Sequence, residues 1–118
     1  MSRTLQTYVR SYRRRSGLTQ SELGFLLGCQ DESKVSRYER CARLPTLENA
    51  FAYEAVFGAP TRQLFAGVYE QTLTTIQQRA KLLAQRLAQD KSNKATARKL
   101  KLLTSLSSSR SAKTTDEL

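Results

Sequence analysis

Residues 16–44 read SGLTQSELGFLLGCQDESKVSRYERCARL, and they contain the clearest signals of local structure in the chain. Thr19 and Glu22 are spaced to form a capping box, in which each side chain binds a free N–H group at the start of a helix. The leucines that follow recur at helical spacing, and Gly28 stands where a helix end favours a residue with positive φ. The pattern therefore predicts a short helix over 20–27 that ends in a tight turn.

A second short helix is predicted directly after that turn, over about 32–40. Asp31 or Ser33 can cap its start, because both side chains accept a backbone hydrogen bond. Helical spacing buries Val35 and Tyr38. The same spacing directs polar side chains outward, namely Ser33, Lys34, Ser36, Arg37 and Arg40. Two short helices joined by a tight turn, the second with a basic outer face, are typical of a helix-turn-helix that enters a DNA major groove.

Three further helices are predicted around this pair, which gives an all-α domain of five helices over residues 1–67. The first covers 5–16, the fourth covers about 47–57, and the fifth runs from Pro60 to Phe65. The predicted apolar face of the fourth helix consists of Leu47, Ala50, Phe51 and Phe57.

The composition changes after Gly67, where residues 68–89 predict one long amphipathic helix. Its apolar side chains alternate at spacings of four and three residues, which is the a/d pattern of a coiled-coil helix. These six residues, here named the seam, are Tyr69, Leu73, Ile76, Ala80, Leu83 and Leu87. Two interpretations remain open at this point, a helix that dimerises and a helix that folds back on its own domain.

A basic helix is predicted over 95–106, after a break in the pattern at 90–94. Residues 68–106 hold eight basic residues against two acidic ones, so much of the net charge lies in this part of the chain. We expect 68–106 to be an amphipathic, basic helical extension that serves in dimerisation. The Ser/Thr-rich tail, 107–118, is expected to be disordered.

The chain of 118 residues carries a net charge of +10, which favours a polyanionic partner. No apolar run approaches the roughly 20 residues that a membrane span needs, so we expect no membrane partner. The chain contains no histidine, and the sequence predicts neither an enzyme nor a metal site or other cofactor. Cys29 and Cys41 are too few for a disulfide framework, and we expect them to be reduced thiols in a cytoplasmic protein.

Several motifs between Leu5 and Phe65 together resemble the Cro/C1-type (XRE) family of helix-turn-helix transcriptional regulators. They are Arg13, GLTQSEL at 17–23, LLG at 26–28, VSRYER at 35–40, RLPTLENA at 43–50 and FGAPTRQLF at 57–65. The resemblance implies a lambda-repressor-like fold of five helices, whose third helix is the DNA recognition helix. The chain departs from the family's common form by one additional residue between Gly28 and Glu39. The residue that caps the recognition helix therefore stays open among Asp31, Glu32 and Ser33.

The same resemblance assigns roles by matching position. Base contacts fall on Ser33, Lys34 and Arg37, and a guanidinium such as that of Arg37 can bridge O6 and N7 of guanine. Phosphate contacts fall on Gln20, Ser36, Arg40 and Arg43. Arg13 and Glu39 match a buried ion pair that ties the first helix to the third.

The sequence therefore predicts a transcriptional regulator that acts as a repressor. We expect it to bind a palindromic operator in double-stranded DNA as a homodimer. One alternative is a protein-interaction module, such as an antitoxin or an RNA polymerase adaptor, whose C-terminal helices hold the partner. Another alternative is a non-specific nucleic-acid binder, in which Lys34 and Arg37 are interchangeable.

Overall fold

The computed structural model describes residues 6–89 and 94–108, and within these ranges all regular secondary structure is helical. The helices are α1 (Val9–Ser16), α2 (Gln20–Leu27), α3 (Ser33–Glu39), α4 (Leu47–Phe57), α5 (Thr61–Leu64), α6 (Ala66–Leu87) and α7 (Lys94–Ser108). The expectation of an all-α fold with C-terminal helices is confirmed.

The chain divides into two compact units, Met1–Tyr69 and Glu70–Leu118. The first unit contains α1 to α5 and the start of α6. The second unit contains the rest of α6 together with α7. None of the helices in the described ranges is long and apolar enough to cross a membrane.

The core of the first unit is built around the ring of Tyr53, which is fully buried on α4. Its centroid lies 6.1 Å from that of Tyr38 on α3, 6.2 Å from that of Phe57 and 5.3 Å from that of Phe65. Edge-to-face and tilted contacts at these distances stabilise aromatic clusters. The other buried members of the core are Val9, Leu23, Leu27, Val35, Ala59 and Leu64. Residues from α1 through α5 and the turns between them thus share one core.

The predicted apolar face of α4 was wrong in part. Leu47 is 71% exposed and Phe51 is 58% exposed, whereas Tyr53 is completely covered. With 3.6 residues per turn, a helix face centred on Tyr53 and Phe57 turns both Leu47 and Phe51 away from the core. The aromatic core therefore fixes how α4 is rotated about its axis.

The first helix begins at Val9, so its predicted start at residue 5 was wrong. The backbone N–H of Tyr8 donates to the carbonyl oxygen of Leu64 at 2.8 Å, and the hydroxyl of Thr7 donates to the same oxygen at 3.0 Å. These bonds hold residues 6–8 in a non-helical segment beside α5. Leu5, the predicted first residue of the helix, lies outside the described residues.

Gly67 allows this N-terminal segment to pass close to the start of α6. Its N–H donates to the carbonyl oxygen of Gln6 at 2.7 Å. A Cβ atom at position 67 would lie 2.3 Å from the backbone nitrogen of Gln6, which is far inside van der Waals contact. A residue without a side chain is therefore needed where the two segments meet.

Glu54 connects α4 to the short helix α5. Its Oε2 accepts the backbone N–H of Thr61 at 2.5 Å, and Thr61 is the first residue of α5. Hydrogen bonds from Thr61 are also the main reason why the pKa of Glu54 lies below its usual range. A carboxylate here satisfies one of the free N–H groups at the start of α5.

In the second unit, α6 and α7 together bury Ala80, Thr96 and Leu103. The side-chain amide of Gln77 on α6 donates to the carbonyl oxygen of Leu106 on α7 at 3.1 Å. α7 continues to Ser108, two residues into the predicted tail, and the hydroxyl of Ser107 donates to the carbonyl oxygen of Leu103 at 3.2 Å. Of the predicted break at 90–94, residues 90–93 lie outside the described residues, as do residues 109–118, and Lys94 is already the first residue of α7.

The seam residues differ widely in exposure. Ala80 is only 4% exposed, while Ile76 is 39% and Leu83 is 41% exposed. Tyr69, Leu73 and Leu87 are half-buried. The chain thus covers part of the seam itself and leaves the rest accessible.

Candidate nucleic-acid interface

The third helix, α3, is held to the core by its inner face. Val35 is fully buried and Tyr38 is 1% exposed. The amide Nδ2 of Asn49 on α4 donates to the Tyr38 hydroxyl at 2.9 Å, which satisfies this buried polar group. An anchored inner face fixes which side chains of α3 point away from the protein.

The outer face of α3 carries the three predicted base-contacting residues. Ser33 and Arg37 are exposed, and Lys34 is half-buried. All three border one surface concavity of about 400 Å³, whose other wall is the turn from Gly28 to Asp31. Two cations and a hydroxyl beside a polar turn can meet base edges and phosphates with hydrogen bonds.

The start of α3 is stabilised by Asp31. Its Oδ1 accepts the backbone N–H of Ser33 at 2.9 Å and the Ser33 hydroxyl at 2.6 Å. Glu32 occupies the N-cap position, but its side chain makes no capping hydrogen bond. Among the three residues that the sequence left open, Asp31 thus supplies the capping carboxylate. The hydrogen bonds from Ser33 hold the pKa of Asp31 below its usual range, with smaller contributions from Arg37 and Lys34.

The turn between α2 and α3 is tight because Gly24 lies against it. A Cβ atom on Gly24 would come within 3.3 Å of the carbonyl oxygen of Asp31 and 3.6 Å of Val35 Cγ2. The backbone N–H of Cys29 donates to the carbonyl oxygen of Gly24 at 2.8 Å. These contacts set the position of α3 relative to α2.

The capping box predicted at the start of α2 is confirmed. Thr19 Oγ1 accepts the N–H of Glu22 at 3.0 Å, and Glu22 Oε1 accepts the N–H of Thr19 at 2.9 Å. Gln20, a predicted phosphate contact, is the first residue of the helix. A helix N-terminus favours an anion, because its free N–H groups and the helix dipole both present positive charge.

Arg13 and Glu39 form a bidentate ion pair within the core region. The Nε atom of Arg13 lies 2.5 Å from Glu39 Oε2, and Nη2 lies 3.2 Å from Oε1. Their side chains are 11% and 3% exposed, so solvent screens the pair weakly. The hydrogen bond to Glu39 raises the pKa of Arg13 above its already high value. The pair ties α1 to α3, while Gln20 Nε2 donates to the same carboxylate at 3.1 Å.

The remaining predicted phosphate contacts are Ser36, in the middle of α3, and Arg40 and Arg43, which follow the end of the helix. Arg40 and Arg43 are exposed and Ser36 is half-buried. The Nε atom of Arg40 donates to Ser36 Oγ at 3.4 Å. Cys41, which follows directly, has a φ of 54° in the left-handed region that non-glycine residues seldom adopt. The chain therefore turns away sharply where α3 ends.

Two contacts of this region were not predicted from the sequence, namely those of Gln20 with Glu39 and of Asn49 with Tyr38. They join residues 19 and 11 positions apart, and no local pattern pairs such residues. The contact of Asp31 with Ser33 differs from these, because Asp31 is among the predicted caps of the helix and Asp and Ser two residues apart before a helix often form such a cap.

A family model described as a helix-turn-helix domain matches residues 5–63, which is half of the chain. The comparison with curated proteins and the comparison with solved structures gave no match. The matched segment contains α1 to α4 and most of α5, including every residue discussed above as a base or phosphate contact. Members of such families are typically DNA-binding regulators without enzymatic activity.

Proposed function

We propose that this chain, which belongs to the helix-turn-helix domain family, is a sequence-specific transcriptional regulator that binds double-stranded DNA through α3. The observation that carries this proposal is the pairing of an anchored inner face with a polar outer face on one short helix. Val35 and Tyr38 fix α3, and Lys34 and Arg37 project from it. A helix fixed in this way can enter a major groove without losing its orientation.

In this proposal the base sequence of the DNA is recognised by three residues, Ser33, Lys34 and Arg37. Arg37 is exposed, and its guanidinium has the geometry to donate two hydrogen bonds to one guanine. Lys34 and Ser33 lie one turn nearer the start of the helix, where they can reach neighbouring base pairs. A bidentate contact of this kind contributes about 1–3 kcal/mol of discrimination against the wrong base.

The phosphate contacts fix the position of the protein along the duplex. These contacts are Gln20, Ser36, Arg40 and Arg43. Along the chain these four residues run from the start of α2 to the loop after α3, and Ser36 stands between Lys34 and Arg37. Contacts to phosphates orient a protein on the duplex without reading sequence. Since basic side chains release counterions from DNA, affinity falls steeply as salt rises.

The regulator acts as a homodimer on a palindromic operator and represses transcription. In this proposal residues 1–67 bind DNA, and residues 68–106 dimerise through the seam. Ile76 and Leu83, the exposed seam residues, are the part of the seam open to a second copy. The basic side chains of α7 add affinity for DNA of any sequence.

A second candidate function is that of a protein-interaction module. It is favoured by an apolar groove of about 310 Å³ on α6, lined by Arg79, Leu82, Leu83 and Arg86. Leu82 is 57% exposed and Leu102 on α7 is 54% exposed. Exposed leucines of this kind often mark a surface that another protein covers.

Selection of bound sites from random duplexes, at two salt concentrations, tests the main proposal. We expect an enriched inverted repeat, and we expect Arg37→Ala to relax the preference at one base pair of each half-site. Arg86→Ala, which removes the same charge outside the helix-turn-helix, should leave the preference unchanged. Salt-sensitive binding without an enriched site would contradict sequence-specific recognition.

A further inference from the structure

Glu39 is the point at which several elements of the first unit meet. Its carboxylate receives the guanidinium of Arg13 from α1 and the side-chain amide of Gln20 from α2. Arg13 also donates from Nη1 to the carbonyl oxygen of Leu18 at 3.0 Å, in the loop before α2. The carboxylate of Glu39, the last residue of α3, therefore also holds the Gln20 side chain at the start of α2.

The geometry leaves the Gln20 amide partly available. A primary amide nitrogen carries two N–H groups, and the single contact with Glu39 Oε1 at 3.1 Å engages one of them. Gln20 is half-buried, whereas the Glu39 side chain is only 3% exposed. The amide is thus held from the protein side, and its second N–H remains to bind a partner at the N-terminus of α2.

We propose that Glu39 is a positioning residue for DNA binding, which holds the Gln20 amide so that its second N–H meets a backbone phosphate. This inference rests on the proposed function, since it concerns the same interface. A free glutamine side chain loses rotamer freedom when it binds. The hydrogen bond to Glu39 removes much of that freedom before DNA arrives, so less affinity is lost on binding.

Arg13 makes this arrangement compatible with a phosphate. A carboxylate near a phosphate repels it, and the repulsion is strong where little water intervenes. The guanidinium of Arg13 lies on both oxygens of Glu39 and neutralises that charge. Glu39 can therefore orient Gln20 without driving the anion away.

A double-mutant cycle on an operator selected as described above tests the proposal. Gln20→Ala should weaken binding about 10-fold, the size expected for a hydrogen bond to a charged group. Glu39→Met, which removes the oxygen that accepts the Gln20 N–H, should weaken binding by about 3- to 10-fold in the native background. It should weaken binding less than about 2-fold in the Gln20→Ala background, because the side chain that Glu39 positions is then absent.

A purely structural Glu39 would give equal losses in both backgrounds, and that result would overturn the inference while an enriched operator still supports the proposed function. If the native protein enriches no operator, both fail. Thr46→Ala controls for lost stability, because it removes the cap of α4 without touching the Arg13–Glu39–Gln20 contacts. We expect its DNA affinity to be unchanged at a temperature where circular dichroism shows every variant folded.

A scan of the operator with single neutral methylphosphonates gives a second readout. At one backbone position in each half-site, the methylphosphonate should weaken DNA binding by the native protein. The same substitution should have little effect on Gln20→Ala or on Glu39→Met, because neither presents the oriented amide. An undiminished loss at that position in Glu39→Met would overturn the positioning role even if Gln20 itself contacts the phosphate.

Discussion

The two units of this chain differ in their cores, because the large side chains that are fully buried among the described residues lie in the first unit. In the first unit, Leu23 and Leu64 are fully buried in a core that centres on Tyr53. In the second unit, Leu82 is 57% and Leu102 is 54% exposed, and Ala80, Thr96 and Leu103 are the buried residues among those described. The first unit is therefore built around its own core, whereas the second unit leaves several large apolar side chains exposed.

The ion pair in the first unit gives the sharpest test of this contrast. Arg13→Met leaves the Glu39 carboxylate buried without its cation, which typically costs about 3–5 kcal/mol of unfolding free energy. Denaturant unfolding at neutral pH measures the loss. Arg14→Met, on the neighbouring exposed position, should change the unfolding free energy by less than about 0.5 kcal/mol. Equal effects of the two changes would show that the pair does not stabilise the fold.

Gly67→Ala should have the next largest effect. The new methyl group overlaps the backbone of Gln6, so the N-terminal segment must move away from α5 and α6. Overpacking of this kind typically costs about 1–3 kcal/mol. Hydrogen exchange should show faster exchange at the Tyr8 amide, which donates to Leu64. Ala66→Gly, the converse change one residue earlier, should leave that amide protected.

Thr19→Ala removes the Oγ1 that accepts the Glu22 N–H at the start of α2. The loss of an N-cap typically costs about 1 kcal/mol. Thr72→Ala, on an exposed position of α6, should change the melting temperature much less. Substitutions at surface sites normally change the free energy of unfolding by no more than about 0.5 kcal/mol. A larger effect at Thr72 would mean that the second unit depends on contacts beyond those described.

Leu83→Glu should have the smallest effect on folding, since the side chain is already 41% exposed. Its effect should appear in assembly, where a carboxylate in the seam disfavours an apolar contact. Sedimentation equilibrium should show weaker self-association, while circular dichroism stays unchanged. If Leu83→Glu instead weakens binding of a different protein and leaves self-association of this chain unaltered, the result would favour the interaction-module alternative over the dimer.

Sequence patterns predicted the first unit well where local rules decide the structure. The bounds of α2 and α4 follow from Thr19, Thr46 and the glycines that end both helices, because caps act over a few residues. The start of α1 failed because residue 64, far along the chain, takes the Tyr8 amide. The strained φ of Cys41 also has no signal, since glycine or asparagine is usual in that conformation.

The site shows the same division. The outward positions on α3 follow from helical spacing once Val35 and Tyr38 are placed inside, and the family resemblance supplied the roles. The bond from Gln20 to Glu39 depends on how α2 and α3 pack, which spacing within either helix does not contain. In the second unit, the seam pattern predicted the helix α6. It did not predict which seam residues would be buried, because that depends on how the helices pack.

The buried ring of Tyr53 gives this protein an intrinsic optical reporter. The chain contains no tryptophan and five tyrosines, and burial raises the pKa of Tyr53 well above its ordinary value. Its hydroxyl is buried without a hydrogen-bond partner. Folding therefore disfavours ionisation of Tyr53, so the stability of the folded state is fully retained below the ordinary tyrosine pKa and falls as the pH rises beyond it. The ultraviolet absorbance of tyrosinate, followed during alkaline titration, would separate Tyr53 from exposed tyrosines and reveal when the core opens.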